Sequence, residues 1–292
     1  MMKSNNKRTN RKTLIVFVVL HYLTTNQTID CVDSIIEKEK KRNYRIIIVD
    51  NCSNNGSFEI LKTKFANNKK IIFLANSSNL GFARGNNVGF KYAKNCLKPD
   101  YIVLCNNDII LLDDIFDKVK KRFLEKRFAV LGPKERLPNG TVYYMNPKLM
   151  NTEQVRGNIK LYEFRKKHPL RALLSDLKRS KNDEPPEGYL DDEHQDVVLH
   201  GAFLVFAKPY IDAYDGLDDR TFMYGEESLL AVRLKKSSLL SVYAPEIEVL
   251  HNCSSATKAI SINRLKRIRT RATYELESAK ILLEELKHLD KK

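Results

Sequence analysis

The chain has 292 residues, 42% of them apolar, and carries a net charge of +15; that is enough for one large core or two small ones. No window reaches the roughly 18–20 apolar residues of a membrane-spanning helix, and five cysteines without a CxxC pair argue against a disulfide framework or a structural zinc site and suit a reducing cytoplasm. The surplus of base favours an anionic partner, whether nucleotide, acidic lipid or nucleic acid, and equally suits a solvated lysine-rich surface.

Residues 1–12 read as a disordered basic tail with almost nothing to bury. Leu14 to Leu20 is a continuous aliphatic run. Its basic flank raises a signal peptide, but no small-residue cleavage site follows, so a buried strand is the better reading. Thr28 to Lys41 has the apolar spacing of a helix packed on that strand. Arg45 to Val49 is a second strand, ending at Asp50, and Asn51 to Ser57 is a turn cluster. Phe58 to Phe65 reads as a helix and Lys70 to Ala75 as a third strand. The loop Asn79 to Asn87 carries two glycines and runs into a helix from about Asn87 to Lys94. Tyr101 to Cys105 is the fourth strand, closing on Asn106-Asn107-Asp108, and Leu112 to Glu125 is helical.

Strand and helix thus alternate four times within the first 130 residues, which predicts a mostly parallel sheet covered on both faces by helices. Ligands of such sheets sit at the C-terminal ends of the strands. The polar clusters at Asp50, Asn79 to Asn87 and Asn106 to Asp108 all follow strands and so fall on one edge.

Phe128 to Leu131 is a fifth strand, and Gly140 to Tyr144 is half of a hairpin. Residues 146–196 are charged, contain Pro185-Pro186 and lack periodicity. They read as a variable, flexible insertion with a short helix near Leu170 to Leu177. Strand character returns at Val197 to Ala207, Leu239 to Ala244 and Glu248 to Leu250, with a helix at Glu226 to Lys236. Residues 256–292 form a separate C-terminal element, amphipathic from about Ile260 to His288 and strongly basic at its start.

Asn106-Asn107-Asp108 offers a carboxylate at the end of a buried strand, a place for a hard divalent cation such as Mg²⁺ or Mn²⁺; taken alone it equally suits a capped turn. Glu226 and Glu227 open a helix, where acids also suit the helix dipole, and either can serve as a base toward a hydroxyl. His21, His200 and His251 are each ambiguous between ligand and structural roles. In Asn79 to Asn87 the glycines allow close backbone approach, the following helix start attracts phosphate, and Arg84 can pair with it. The loop is neither a Walker loop nor a GxGxxG fingerprint.

The order of the pieces is more specific than any one of them. Val18-Val19-Leu20-His21-Tyr22, Ile47-Ile48-Val49-Asp50-Asn51, the Asn79 to Asn87 loop, Leu104-Cys105-Asn106-Asn107-Asp108, Gly201-Ala202-Phe203-Leu204, Phe222-Met223-Tyr224-Gly225-Glu226-Glu227 and His251 together resemble glycosyltransferase family 2, in its rhamnosyltransferase-like branch, from about Thr13 to Ser255. The resemblance implies an α/β GT-A fold: a Rossmann-like, mostly parallel sheet flanked by helices, with 13–255 as the catalytic domain and a C-terminal helical extension. It implies inverting transfer from a nucleotide-diphospho-sugar to a hydroxyl acceptor, in bacterial surface polysaccharide or lipopolysaccharide synthesis, dependent on Mg²⁺ or Mn²⁺. Tyr22 and Asp50 would lie against the nucleoside. Asn79, Gly81, Arg84, Asn87 and Asn107 would serve the donor nucleotide, Asp108 and His251 the metal. Glu226-Glu227 would supply the catalytic base, with position favouring Glu227. The family's DxD-type motif is reduced here to the one carboxylate of Asp108.

Rival readings are a nucleotidyltransferase, which would not need the Gly225-Glu226-Glu227 segment, and a catalytically inactive nucleotide-sugar-binding member. A nucleic-acid binder is disfavoured because the Arg264 to Arg271 run has few interleaved aromatics. That basic stretch suggests peripheral attachment to an anionic inner membrane face, where a glycan or lipid-linked acceptor would be met; a surface helix packed on the domain accounts for it as well.

Overall fold

The computed structural model describes residues 12–144, 146–178, 185–252 and 264–289. The basic tail expected over 1–12, except Lys12, lies outside them, as do Cys253 and the start of the expected C-terminal element.

The aliphatic runs form strands, as their continuity demands. β1 (Ile15–His21), β2 (Tyr44–Asp50), β3 (Ile71–Ala75) and β4 (Tyr101–Asn106) pair in parallel in the order β3-β2-β1-β4. The residues of β1, β2 and β4 are buried on both faces, Ile15 to Val19 and Ile46 to Val49 fully enclosed, while edge strand β3 is mostly half-buried. One layer of core lies under α1 (Thr25–Lys38) and α4 (Phe116–Lys126), the other under α3 (Phe82–Tyr92) and α8 (Glu226–Lys236). α2 (Ser57–Lys64) completes the first layer. Helix α3 begins five residues earlier than the sequence suggests, because its first turn is glycine-rich and hides its periodicity. Gly89 lets it approach the sheet: a β-carbon there would stand 2.4 Å from Val18 Cγ1.

The second half of the sheet is mixed. β8 (Phe203–Ala207) runs antiparallel between β4 and β6 (Val130–Arg136), and β9 (Ser241–His251) runs parallel to β6. The two short strands expected at Leu239 to Ala244 and Glu248 to Leu250 are one strand with a register shift opposite Pro133 and Lys134. The short β5 (Ile109–Leu111) turns back from Asp108 and pairs antiparallel with the end of β9, Ile109 opposite His251. β7 (His194–Gln195) pairs with β9 at the edge, and α7 (Lys208–Ala213) follows β8. Residues 197–202, expected to continue that strand, cross the cleft without strand pairing, and Gly140 to Tyr144 makes a single bridge, Arg136 to Val142.

The stretch 146–196 holds more order than its composition suggests. α5 (Thr152–Lys167) has a capping box in which Asn151 and Gln154 exchange side-chain and backbone bonds, and α6 (Pro169–Lys178) falls where a short helix is expected. Both pack on α9 (Arg264–Leu289), and Val155 joins Leu229 and Val232 of α8 and Ala279, Leu282 and Leu286 of α9 in a separate apolar cluster. α5 escapes a sequence reading because Val155 is its one fully buried side chain; the surface that orders it arrives more than 100 residues later.

No described helix is long and apolar enough to cross a membrane. The Cys31 and Cys105 sulfurs lie 3.8 Å apart as a buried thiol contact, not a disulfide.

Candidate active site

At the ends of β1 and β2, His21 and Asp50 stand opposite one another. His21 is fully buried; its Nδ1 and Nε2 each lie 2.7 Å from a hydroxyl, of Thr28 and Ser57. Burial pushes its pKa down to about 4 against the opposing pull of Asp50. The imidazole is therefore a neutral bracket between β1 and two helices. Asp50 accepts from the backbone N–H of Ser53 with both oxygens at 3.2 Å, and Tyr22 lies beside it, half-buried.

The next loop is a network of amides. Asn51 donates to Asn79 Oδ1 and to the Gly81 carbonyl, both at 3.0 Å, and accepts from Asn76 Nδ2 and Leu80 N–H. Gly81 has φ +82°, and a β-carbon on it would stand 2.2 Å from the Phe222 carbonyl oxygen; only glycine fits. The Phe82 N–H donates to that same carbonyl at 2.8 Å.

Asn87 is 4% exposed, and its amide makes a reciprocal pair with Leu217, donating to the carbonyl at 2.9 Å and accepting from the N–H at 2.7 Å. The exposed Arg84 donates through Nε to the Asp219 carbonyl at 2.8 Å. Asn79 thus builds the loop, and Gly81, Asn87 and Arg84 fasten it to residues 216–222, with Arg84 exposed on its outer side and Asp50 buried at its base. Asn107 turns toward α1, where its Nδ2 donates to the hydroxyls of Thr24 and Thr28.

Asp108 is 9% exposed, and its carbonyl accepts from Asn252 N–H at 2.9 Å. The β5–β9 pairing brings His251 alongside, with Nε2 3.5 Å from Asp108 Oδ1. Two ligand atoms each ~2.1 Å from one Mg²⁺ or Mn²⁺ stand ~3–4 Å apart, so this pair fits two corners of one coordination shell. The other ring nitrogen, Nδ1, lies 2.9 Å from Glu135 Oε2. Glu135 is 4% exposed and also meets His200 Nδ1, at 2.9 and 3.0 Å.

Glu135, His200 and His251 could themselves cluster around an ion. Their facing atoms are engaged with one another, and Asp108 in turn pairs with His251 Nε2, so the four groups form one chain of charge. Burial alone would raise the Glu135 pKa, but His200 and His251 hold it down to about 2. Burial would lower that of His251, yet Asp108 and Glu135 raise it to about 10; His200 is raised by Glu135 and then Glu227, also against burial. Sequence reasoning missed Glu135: a charge near the end of a short strand reads as an edge residue, and no local signal announces that two imidazoles will close on it.

The acids at the start of α8 separate in character. Glu226 is 5% exposed and accepts from the Thr221 hydroxyl at 3.2 Å; burial first, then the charge of Glu227, raises its pKa to about 7. Glu227 is half-buried and lies over Gly201, its Oε1 3.0 Å from where a β-carbon there would stand, next to His200. The preceding Tyr224 takes a left-handed φ of 72°, uncommon for a side chain of its size, with the Arg271 guanidinium 5.1 Å over its ring.

Residues 17–177, more than half of the chain, match the family described as Glycosyl transferase family 2. Among curated proteins the chain is similar to the N-acetylglucosaminyl-diphospho-decaprenol L-rhamnosyltransferase of Mycobacterium tuberculosis, with 26% identity over 230 residues, 74% of this chain and 69% of the relative. Among solved structures it resembles residues 1–349 of S. aureus TarS, with TM-score 0.53 and 11% identity across 94% of this chain and 70% of that one; in the complex of TarS with UDP the TM-score is 0.54. At that identity the likeness is one of fold.

Proposed function

The chain belongs to glycosyltransferase family 2, and from that premise we propose that it moves a sugar, with inversion, from a nucleotide-diphospho-sugar to a hydroxyl of a lipid-linked glycan in bacterial surface polysaccharide synthesis. A rhamnosyl donor is the first to test, because the curated relative is named for that sugar and for a diphospho-decaprenol acceptor. The observation that carries the reading is the row of groups along one sheet edge: Asp108, His251, Glu135, His200 and Glu227.

Each group suits one task. Asp50 and Tyr22 face the nucleoside and Arg84 the diphosphate. Glu227, open to the cleft, removes the proton of the acceptor hydroxyl as its oxygen attacks the anomeric carbon. Burial and the neighbouring Glu227 raise the Glu226 pKa to about 7, which sets it apart as the more readily protonated acid of the two. Asp108 and, once its imidazolium gives up the Nε2 proton, His251 would hold Mg²⁺ or Mn²⁺, whose charge would offset that developing on the departing diphosphate. Glu135 is a positioning residue: its bond to Nδ1 aims Nε2 of His251 at Asp108, the carboxylate–histidine arrangement that orients metal ligands.

The test is calorimetry with nucleoside diphosphates, with and without Mn²⁺, followed by transfer assays on a panel of nucleotide sugars. Metal-enhanced binding is expected, and Asp108→Ala should remove the enhancement, about 100-fold in affinity. Binding that ignores both metal and Asp108 would overturn the metal assignment. Nucleoside triphosphate turnover with no sugar transfer would favour a nucleotidyltransferase, and donor binding without transfer on any acceptor would favour an inactive member.

A further inference from the structure

The helical layer of α5, α6 and α9 has one end unlike the other. Glu275 and Arg271 of α9 lie close enough to act on Tyr162 and Arg165 of α5, while Arg156 acts on Glu284. The two helices therefore run antiparallel, and the last turn of α5 meets the basic first turns of α9. At this end α9 touches the loop before the catalytic helix: Arg271 covers Tyr224, and the Tyr274 ring lies 4.8 Å from that of Phe222. At the opposite end Glu285 pairs with Lys236, at the far terminus of α8.

The end beside the catalytic loop is also where apolar surface is left open. Of seven exposed large hydrophobic side chains among the described residues, four fall between 161 and 174: Leu161 (39%), Phe164 (42%), Leu170 (57%) and Leu174 (53%). They sit at i,i+3 on α5 and i,i+4 on α6, one face of each helix. The hairpin is held by two bonds from Arg165 to Asp176, at 2.7 and 2.8 Å, and by the buried Ala172 on its inner side. Exposed Lys160, Lys166, Lys167 and Arg171 flank those side chains along the two helices, against exposed Glu163 and an Asp176 already paired with Arg165, and exposed Arg264, Lys266 and Arg269 lie on the first turns of α9. Apolar side chains among a surplus of lysine and arginine on a short amphipathic hairpin suit an anionic bilayer, where the apolar part enters the acyl boundary and the cations meet the headgroups. A second copy of this chain, itself at net charge +15, would set like charge against like around those leucines, which an anionic surface does not.

We propose that the α5–α6 hairpin, with the first turns of α9, docks on an anionic lipid surface and sets the Glu226–Glu227 end of the cleft toward it. The purpose rests on the lipid-linked acceptor proposed above; the lipid binding itself does not. The test is co-sedimentation of the full chain with phosphatidylcholine vesicles containing about one-third phosphatidylglycerol, against vesicles of phosphatidylcholine alone.

Binding to the anionic vesicles is expected, falling at least ~10-fold when Leu161, Phe164, Leu170 and Leu174 are all changed to serine. Lys166→Gln, Lys167→Gln and Arg171→Gln together should weaken it several-fold and flatten its salt dependence. Melting and donor binding in solution should be unchanged in both variants. No binding to anionic vesicles, or binding that the serine changes leave intact, overturns the proposal. So does a serine variant that binds no vesicle less well but converts a dimer to a monomer in light scattering, which would make the face a contact between copies. Vesicle binding without any sugar transfer would count against the enzymatic reading and leave this one standing.

Discussion

Around the ends of β1, β2 and β3 the polar groups are amides and hydroxyls that bind one another. Asn51, Asn79 and Asn87 spend their hydrogen bonds on backbone and on each other, and His21 is held neutral between two hydroxyls. Around the ends of β6 and β9 and the start of α8 the polar groups are charges whose proton affinities have moved: Glu135 down, His251 and Glu226 up. On the proposed roles, the difference teaches that a donor loop is built by fixing shape, whereas a catalytic side is built by placing charge in a half-buried cleft, where a carboxylate or imidazole responds strongly to its neighbours.

The sharpest test of that contrast is Glu227→Gln. Turnover should fall ~10²–10⁴-fold with nucleotide affinity unchanged by calorimetry; a parallel loss of both would move Glu227 to the donor side. Glu135→Gln comes next. Metal affinity should drop ~10–100-fold, read as Mn²⁺ binding by electron paramagnetic resonance without substrate, with partial rescue by Glu135→Asp. Unchanged Mn²⁺ binding would leave Glu135 a purely structural bridge.

Asn87→Ala should act on stability instead, since it removes both halves of the buried pair with Leu217, at about 2–4 kcal/mol in denaturant unfolding. If that variant melts normally and loses donor affinity, the amide is a ligand and the contrast fails on its own ground.

The smallest effect is that of Glu226→Gln on the pH profile of stability. Glu226 has a folded pKa of about 7 against an ordinary 4.5, so the folded chain binds more protons than the unfolded one between those values. Stability must therefore fall as pH rises through that window. The glutamine variant should gain about 1–3 kcal/mol on wild type at pH 8, with no gain near pH 4. Glu39, buried and raised in the same direction, keeps a similar slope in both proteins, so the difference between them is the quantity to measure.

How far the sequence exposes this site depends on whether a residue's role is local. The ends of β1, β2 and β4 are legible because a continuous aliphatic run must stop where the chain turns polar, and so Asp50 and Asp108 stand out. Glu226 and Glu227 read alike by residue type, and only the family position favours Glu227 until burial separates them in the fold. Asn79 and Asn87 have the composition of ligands, yet their partners, Asn51 and Leu217, come from other parts of the chain. Glu135 stays hidden for the same reason, needing His200 and His251 to define it. The α5 helix is missed because it is ordered by α9, and an element whose partner lies a hundred residues away leaves little periodicity of its own.

The contact of Gly81 and Phe82 with the Phe222 carbonyl joins the loop proposed to meet the first substrate to the segment proposed to carry the base for the second. With Asn87 clamped to Leu217 as well, neither loop can shift far without the other. On the roles proposed above the coupling is reciprocal, and we expect the donor, by seating the Asn79 to Asn87 loop, to prepare the ground on which the acceptor is received. Steady-state kinetics should then be sequential with the donor first, the released nucleotide competing with donor and not with acceptor.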